Sequence, residues 1–202
     1  MDHSSITESK NHCRKYLPHI EDKKIQFITF RLYDSQPQSV ITYYKDTLQV
    51  LKKEGITTEN AKAEIKKCLT LIAKYEDAGY GQCFLQNEQI ADLMSDTLKF
   101  HNDKLYTLYE WCIMPNHVHV MIKVEDNSSL SHILHAWRSY TAHKGNEILG
   151  RKGDFWMDEY FDRYIRDEFH WSKVSSYIIM NPVRAGLVST PEEWKWSSVF
   201  NK

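Results

Sequence analysis

The sequence predicts an α+β fold, a ferredoxin-like antiparallel sheet with helices on one face and a helical insertion after the first strand. Three observations predict it. Short segments alternate apolar and polar residues and are rich in β-branched and aromatic side chains, the signature of half-buried strands. Longer segments repeat apolar residues every three or four positions, the period of an amphipathic helix. With the insertion set aside, the two kinds succeed one another as β-α-β-β-α-β-α, an order that closes into one antiparallel sheet with its helices.

Residues 1–22 are polar and aperiodic and are expected to form a loosely held arm, leaving 23–202 as a single domain. Lys24 to Tyr33 alternates and is expected to be the first strand. From 38 to 79 helical periodicity runs through Val40, Tyr43, Tyr44, Leu48 and Leu51, and again through Ile65, Leu69, Ile72 and Tyr75. Gly55 and Thr57-Thr58 divide the two halves, so a helical hairpin is expected, closed by Gly79-Tyr80-Gly81. Asn87 to His101 reads as an amphipathic helix with Asn87 as N-cap and a stripe of Ile90, Leu93, Met94 and Leu98. Leu105–Met114 and His117–Val124 read as two strands joined by a turn at Met114-Pro115-Asn116. Ser128 or Ser129 caps a helix running to about Leu149, with Leu130, Ile133, Leu134, Trp137 and Tyr140 as its buried stripe. Phe155 to Ile165 is expected to be extended and partly strand, and Phe169 to Met180 to be helical.

At 202 residues the chain can bury a sizeable core, and a hydrophobic fraction of 42% with many aromatic residues excludes a disordered polymer. No apolar run reaches the ~18 residues of a membrane span, and the first thirty positions hold no signal-peptide core. Cys13, Cys68, Cys83 and Cys112 are scattered without a C-x-x-C pair, so reduced thiols in a cytoplasmic protein are expected. The net charge of −1 does not announce a nucleic-acid binder; positive charge would have to be gathered locally. Arg31, Arg138, Lys144, Arg151, Lys152, Arg163, Arg166, Lys173 and Arg184 are the candidates, each otherwise a solvated surface charge.

The chemistry sits in Met114-Pro115-Asn116-His117-Val118-His119-Val120-Met121-Ile122. Side chains alternate along a strand, so His117 and His119 face one way while Val118 and Val120 enter the opposite layer. Two neutral imidazoles side by side can share one divalent metal. The spacing alone is weak, since ten histidines give roughly half an H-x-H by composition. Some sixty residues later, in Ser175-Ser176-Tyr177-Ile178-Ile179-Met180-Asn181-Pro182-Val183-Arg184-Ala185-Gly186-Leu187-Val188, Tyr177 and Asn181 lie four apart and share a helix face. Pro182 biases Asn181 toward a helix end. A tyrosine beside a metal is a candidate oxygen nucleophile and Asn181 can offer a third, carbonyl ligand; the plainer alternatives are a packing tyrosine and a helix cap. Asn116 reads as a turn residue. Trp156, Trp194 and Trp196 could stack on bases, but apolar neighbours favour packing; Asp158, Asp162 and Asp167, interspersed with arginine, read as surface pairing rather than metal ligands.

Taken together these segments resemble the single-tyrosine HUH transposases, more closely the REP-associated tyrosine transposases of bacteria. The resemblance is carried by Met-Pro-Asn-His-Val-His at 114–119, Phe-Asp-Arg-Tyr-Ile-Arg-Asp-Glu at 161–168, Asn-Pro-Val-Arg-Ala-Gly-Leu-Val at 181–188 and Pro-Glu-Glu-Trp-Lys-Trp-Ser-Ser at 191–198. It implies a metal-dependent endonuclease and strand transferase acting on single-stranded DNA beside hairpins such as REP-like palindromes. His117 and His119, with Asn181, would hold Mg²⁺ or Mn²⁺, and Tyr177 would form a covalent 5′-phosphotyrosine. Arg31, Arg138, Arg163, Arg166 and Arg184 are the expected DNA contacts. The resemblance further implies a monomer or homodimer in the bacterial cytoplasm, associated with the nucleoid. A domesticated, non-catalytic hairpin-binding protein is the main alternative. A histidine-triad hydrolase loses its support at Met121, where a third histidine would stand, and plasmid-type initiators and relaxases lack the 181–188 run.

Overall fold

The computed structural model describes residues 10–13, 18–21, 24–54 and 59–200. Its centre is a four-stranded antiparallel sheet of β3 (Ile25–Arg31), β4 (Tyr106–Ile113), β5 (His117–Val124) and β6 (Phe161–Tyr164), in the order β4-β5-β3-β6. This is the expected ferredoxin-like arrangement: the first and third strands of the domain pair centrally because each connecting helix crosses one face of the sheet.

Two helices cover the expected face. The first, α3 (Glu88–Phe100), starts where expected, because the Asn87 side chain accepts hydrogen bonds from the backbone N–H groups of Gln89 and Ile90. The second, α4 (Leu130–Ile148), is capped by Ser129, which accepts from His132. Under them lies the main core, with Ile28, Phe30 and Leu32 from the β3 side, Val118, Val120 and Ile122 from β5, and Met94, Leu98, Leu134 and Trp137 from the helices. Tyr140, expected in the α4 stripe, is 52% exposed; Thr141 and Gly145 are buried in its place. The stripe steps by four residues after Trp137, which turns position 140 outward. At Gly145 the Phe155 ring crosses the helix so closely that an added Cβ would meet it at 2.6 Å.

The opposite face carries a smaller core of Phe27, Cys112, Met114, Met121, Val174 and Ile178, covered by α5 (Glu168–Ile179). That helix ends at Ile179 with Met180 as its C-cap, close to the expected end, and the short α6 (Asn181–Arg184) follows, so Asn181 opens a new turn rather than closing α5. Pro182 stands in the first turn, where its missing N–H is not needed.

The expected helical hairpin is present as α1 (Gln38–Glu54) and α2 (Glu59–Asp77), which enclose Val40, Tyr44, Leu48, Cys68 and Ile72. Tyr43, expected with them, is 45% exposed; the Gly55 and Thr57-Thr58 break lies outside the described residues. In the segment expected to be an aperiodic arm, β1 (Lys10–Cys13) pairs with β2 (Pro18–Glu21) as a separate two-stranded sheet, while residues 1–9, 14–17 and 22–23 lie outside the described ones. Cys68, Cys83 and Cys112 are free and buried. No helix of the described residues is long and apolar enough to cross a membrane.

Candidate active site

Register assembles the site. In the β3–β5 pair Thr29 lies opposite His119 and Arg31 opposite His117, so these four side chains share the face covered by α5. His117 and His119 are buried, and their Nε2 atoms stand 3.0 Å apart. Each ring is held through its other nitrogen. The Asn116 amide donates to the Tyr80 carbonyl at 3.0 Å, which turns its oxygen onto His117 Nδ1 at 2.7 Å. An amide oxygen only accepts, so His117 carries its proton on Nδ1 and presents a lone pair at Nε2. His119 Nδ1 lies 2.8 Å from the Thr29 hydroxyl, which can donate or accept. Without a cation, His119 Nε2–H bridges to His117 Nε2 while Thr29 donates; with one, Thr29 accepts and both Nε2 lone pairs are free. This hydroxyl lets the pair change tautomer without gaining charge.

Burial pushes His117 down to about 4, with Glu76 opposing and Arg31 reinforcing the shift. His119 is pushed well below the usual histidine range by burial first, then by His117, Arg31 and Arg184. Both rings are therefore neutral donors at neutral pH.

The α5–α6 junction completes the site. Tyr177, half-buried, packs its ring edge-on against His119 with centroids 5.1 Å apart and against Phe27 at 5.8 Å. The Arg184 guanidinium lies 4.3 Å from the centre of the Tyr177 ring. Burial raises the Tyr177 phenol above its ordinary pKa, Glu76 and Asp77 raise it further, and Arg184 and then Asn181 oppose them. Asn181 is 0% exposed, and among the described residues neither its amide nitrogen nor its oxygen has a hydrogen-bond partner. Its pull on the phenol is thus one of proximity rather than of a formed hydrogen bond. An orphaned buried amide is costly and asks for an occupant.

Two imidazole nitrogens 3.0 Å apart fit a divalent ion, whose bonds of about 2.1 Å at right angles set neighbouring donors about 3 Å apart. Among the described residues no three His, Cys, Asp or Glu side chains converge as ligands; Asn181 adds a buried amide oxygen near Tyr177.

Of the expected cations, Arg31 and Arg184 adjoin the site. Arg163 lies opposite Phe27 and Arg166 just before α5, both exposed at the sheet edge. Arg138 is not brought to the site; it lies on α4, on the other face, and donates to the carbonyls of Met157 and Asp158. The three tryptophans pack: Trp156 donates to Thr141, Trp194 to the Ile113 carbonyl and Trp196 to Asp92. Asp167 caps α5. Thr29, Glu76 and Asp77 were not legible as site residues. Thr29 needed the strand register, and the two acidic residues arrive from the insertion. Asn116 had a signal, its place directly before His117.

A family model described as Transposase IS200 like matches residues 80–181, half of the chain, a span that includes His117, His119, Tyr177 and Asn181. A Haemophilus influenzae protein assigned as a REP-associated tyrosine transposase is 25% identical over 97 residues, covering 43% of this chain and 55% of that protein. The chain thus spans about half the length of that relative. Among solved structures, a REP-associated tyrosine transposase bound to a REP hairpin superposes with a TM-score of 0.51 at 16% identity, covering 94% of this chain and 82% of that one. At this identity the likeness is one of fold.

Proposed function

The chain belongs to the IS200-like transposase family, and we propose that it cleaves and rejoins single-stranded DNA beside a hairpin through a covalent bond to Tyr177. The observation that carries the reading is the burial of His117, His119 and Asn181 around Tyr177, whose ring packs on His119; one strand and one helix junction supply all four. His117, His119 and Asn181 would hold Mg²⁺ or Mn²⁺, which when bound acts as a Lewis acid on the scissile phosphate. The REP hairpin bound by the structural neighbour supports a hairpin substrate for this chain.

The chain's own groups have separable tasks. Tyr177 oxygen bonds to phosphorus as the P–O3′ bond breaks; the phenol proton passes to solvent, and the departing 3′ oxygen takes one up. Arg184 favours the phenolate that burial and the two acidic neighbours oppose. The bond energy stays in the phosphotyrosine, so attack by a 3′-hydroxyl reverses the step without a nucleotide cofactor. Arg163, Arg166 and Lys173 cluster around His170, whose pKa burial and these cations lower, and the Lys173 ammonium lies 4.1 Å from the centre of the exposed Phe169 ring. Cations beside an exposed aromatic suit a single strand, through phosphate and base stacking. The protein would then act in the bacterial cytoplasm, near the nucleoid.

The test incubates the protein with labelled single-stranded hairpin DNA and Mn²⁺, then runs a denaturing gel. The wild type is expected to carry label, Tyr177→Phe to carry none while still binding, and EDTA to abolish labelling. Label on Tyr177→Phe would move the nucleophile to another tyrosine. DNA binding without any wild-type adduct would favour the non-catalytic hairpin-binding reading.

A further inference from the structure

Of the two acidic side chains that the helical insertion brings to the site, Glu76 and Asp77, the first is paired. Glu76, in the last turn of α2, pairs with Arg31 at the end of β3; the two are 5% and 7% exposed. Arg31 is the register partner of His117, so a guanidinium stands beside the histidine pair. The groups proposed above to hold a divalent ion are uncharged: two imidazoles and one amide. A buried guanidinium without its counter-charge would oppose any second positive charge in this dry pocket. Glu76 lies outside the residues matched by the family model.

We propose that Glu76 is a positioning residue for the metal: by holding and neutralising Arg31, the insertion permits a divalent cation to sit at His117 and His119. The inference rests on the metal reading above. It gives the 38–79 insertion a task that its periodicity alone does not reveal, tying occupancy of the site to docking of α2.

Mn²⁺ binding, measured by calorimetry on the full chain without DNA, tests it. Glu76→Gln is expected to weaken Mn²⁺ at least ~10-fold, as removal of an outer-shell partner does. Arg31→Gln is expected to bind as well as the wild type or more tightly, and the double variant Arg31→Gln/Glu76→Gln to recover to within ~3-fold of the wild type. Thermal unfolding in EDTA reports whether each variant folds. If Glu76→Gln does not fold, Arg31→Gln and the double variant still decide. Weaker binding by Arg31→Gln, or a double variant as weak as Glu76→Gln, overturns the proposal. So does wild-type affinity in Glu76→Gln. A wild type that binds no Mn²⁺ at all overturns the metal reading itself, and this inference with it.

Discussion

Thr29 and Asn116 decide what His117 and His119 can do, because each fixes the ring nitrogen that faces away from the shared Nε2 pair. Thr29→Val keeps the shape and removes the hydroxyl that can accept from His119 Nδ1 once Nε2 is engaged. Mn²⁺ affinity is expected to fall ~10-fold with little change in thermal stability; unchanged affinity would mean that His119 is oriented by packing alone. The buried imidazoles also set a pH dependence. His117 titrates at about 4 in the folded chain and near 6.5 unfolded, so below pH 6.5 the unfolded state binds more protons. Its contribution is fully present above pH 6.5 and is lost as pH falls toward 4, on the order of 3 kcal/mol for metal-free protein. Urea midpoints in EDTA are expected to drop across this window. The fall should be visibly shallower in His117→Gln, and an identical slope would show that other groups cause it.

At the scale of elements, β5, α3 and α4 were legible almost to the residue, because caps and periodicity act within a few positions. His117–Val124 begins and ends as its alternation implies, and Asn87 and Ser129 cap where their side chains reach free N–H groups. Less legible was α5, whose expected place on the common helix face gives way to the opposite one, against Phe27 and Met121. Gly145 shows how an element pair depends on one missing atom. Gly145→Ala improves helix propensity but drives a Cβ to 2.6 Å from the Phe155 ring. A net loss of about 1–3 kcal/mol is expected from chemical denaturation. A gain in stability would show that the ring can move aside.

Over the whole molecule, a net charge of −1 conceals an uneven distribution: Arg163, Arg166 and Lys173 gather near the start of α5, and Arg184 stands at Tyr177. Binding to single strands is accordingly expected to be ionic, weakening roughly 20-fold between 50 and 200 mM salt if about three phosphates are neutralised. Cleavage is expected on the unpaired flank of a hairpin and to fall at least ~10-fold when a complementary strand pairs the site, since a duplex prevents bases from splaying onto Phe169. Equal rates on paired and unpaired versions of one sequence would refute the single-strand reading.

By itself the sequence determined the α+β class, the order of elements, the helical hairpin and the candidates His117, His119, Tyr177 and Asn181. Each depends on spacing within one segment, and spacing is local. Tertiary structure alone decided which groups meet: Thr29 and Arg31 beside the histidines, Asn181 buried near Tyr177, and Glu76 carried in from the insertion. Strand register and helix docking join residues some forty to ninety positions apart, and no periodicity encodes that pairing. The same long-range packing separated Arg138 from the site and left Tyr140 in solvent, although on the chain each sits among residues that are buried.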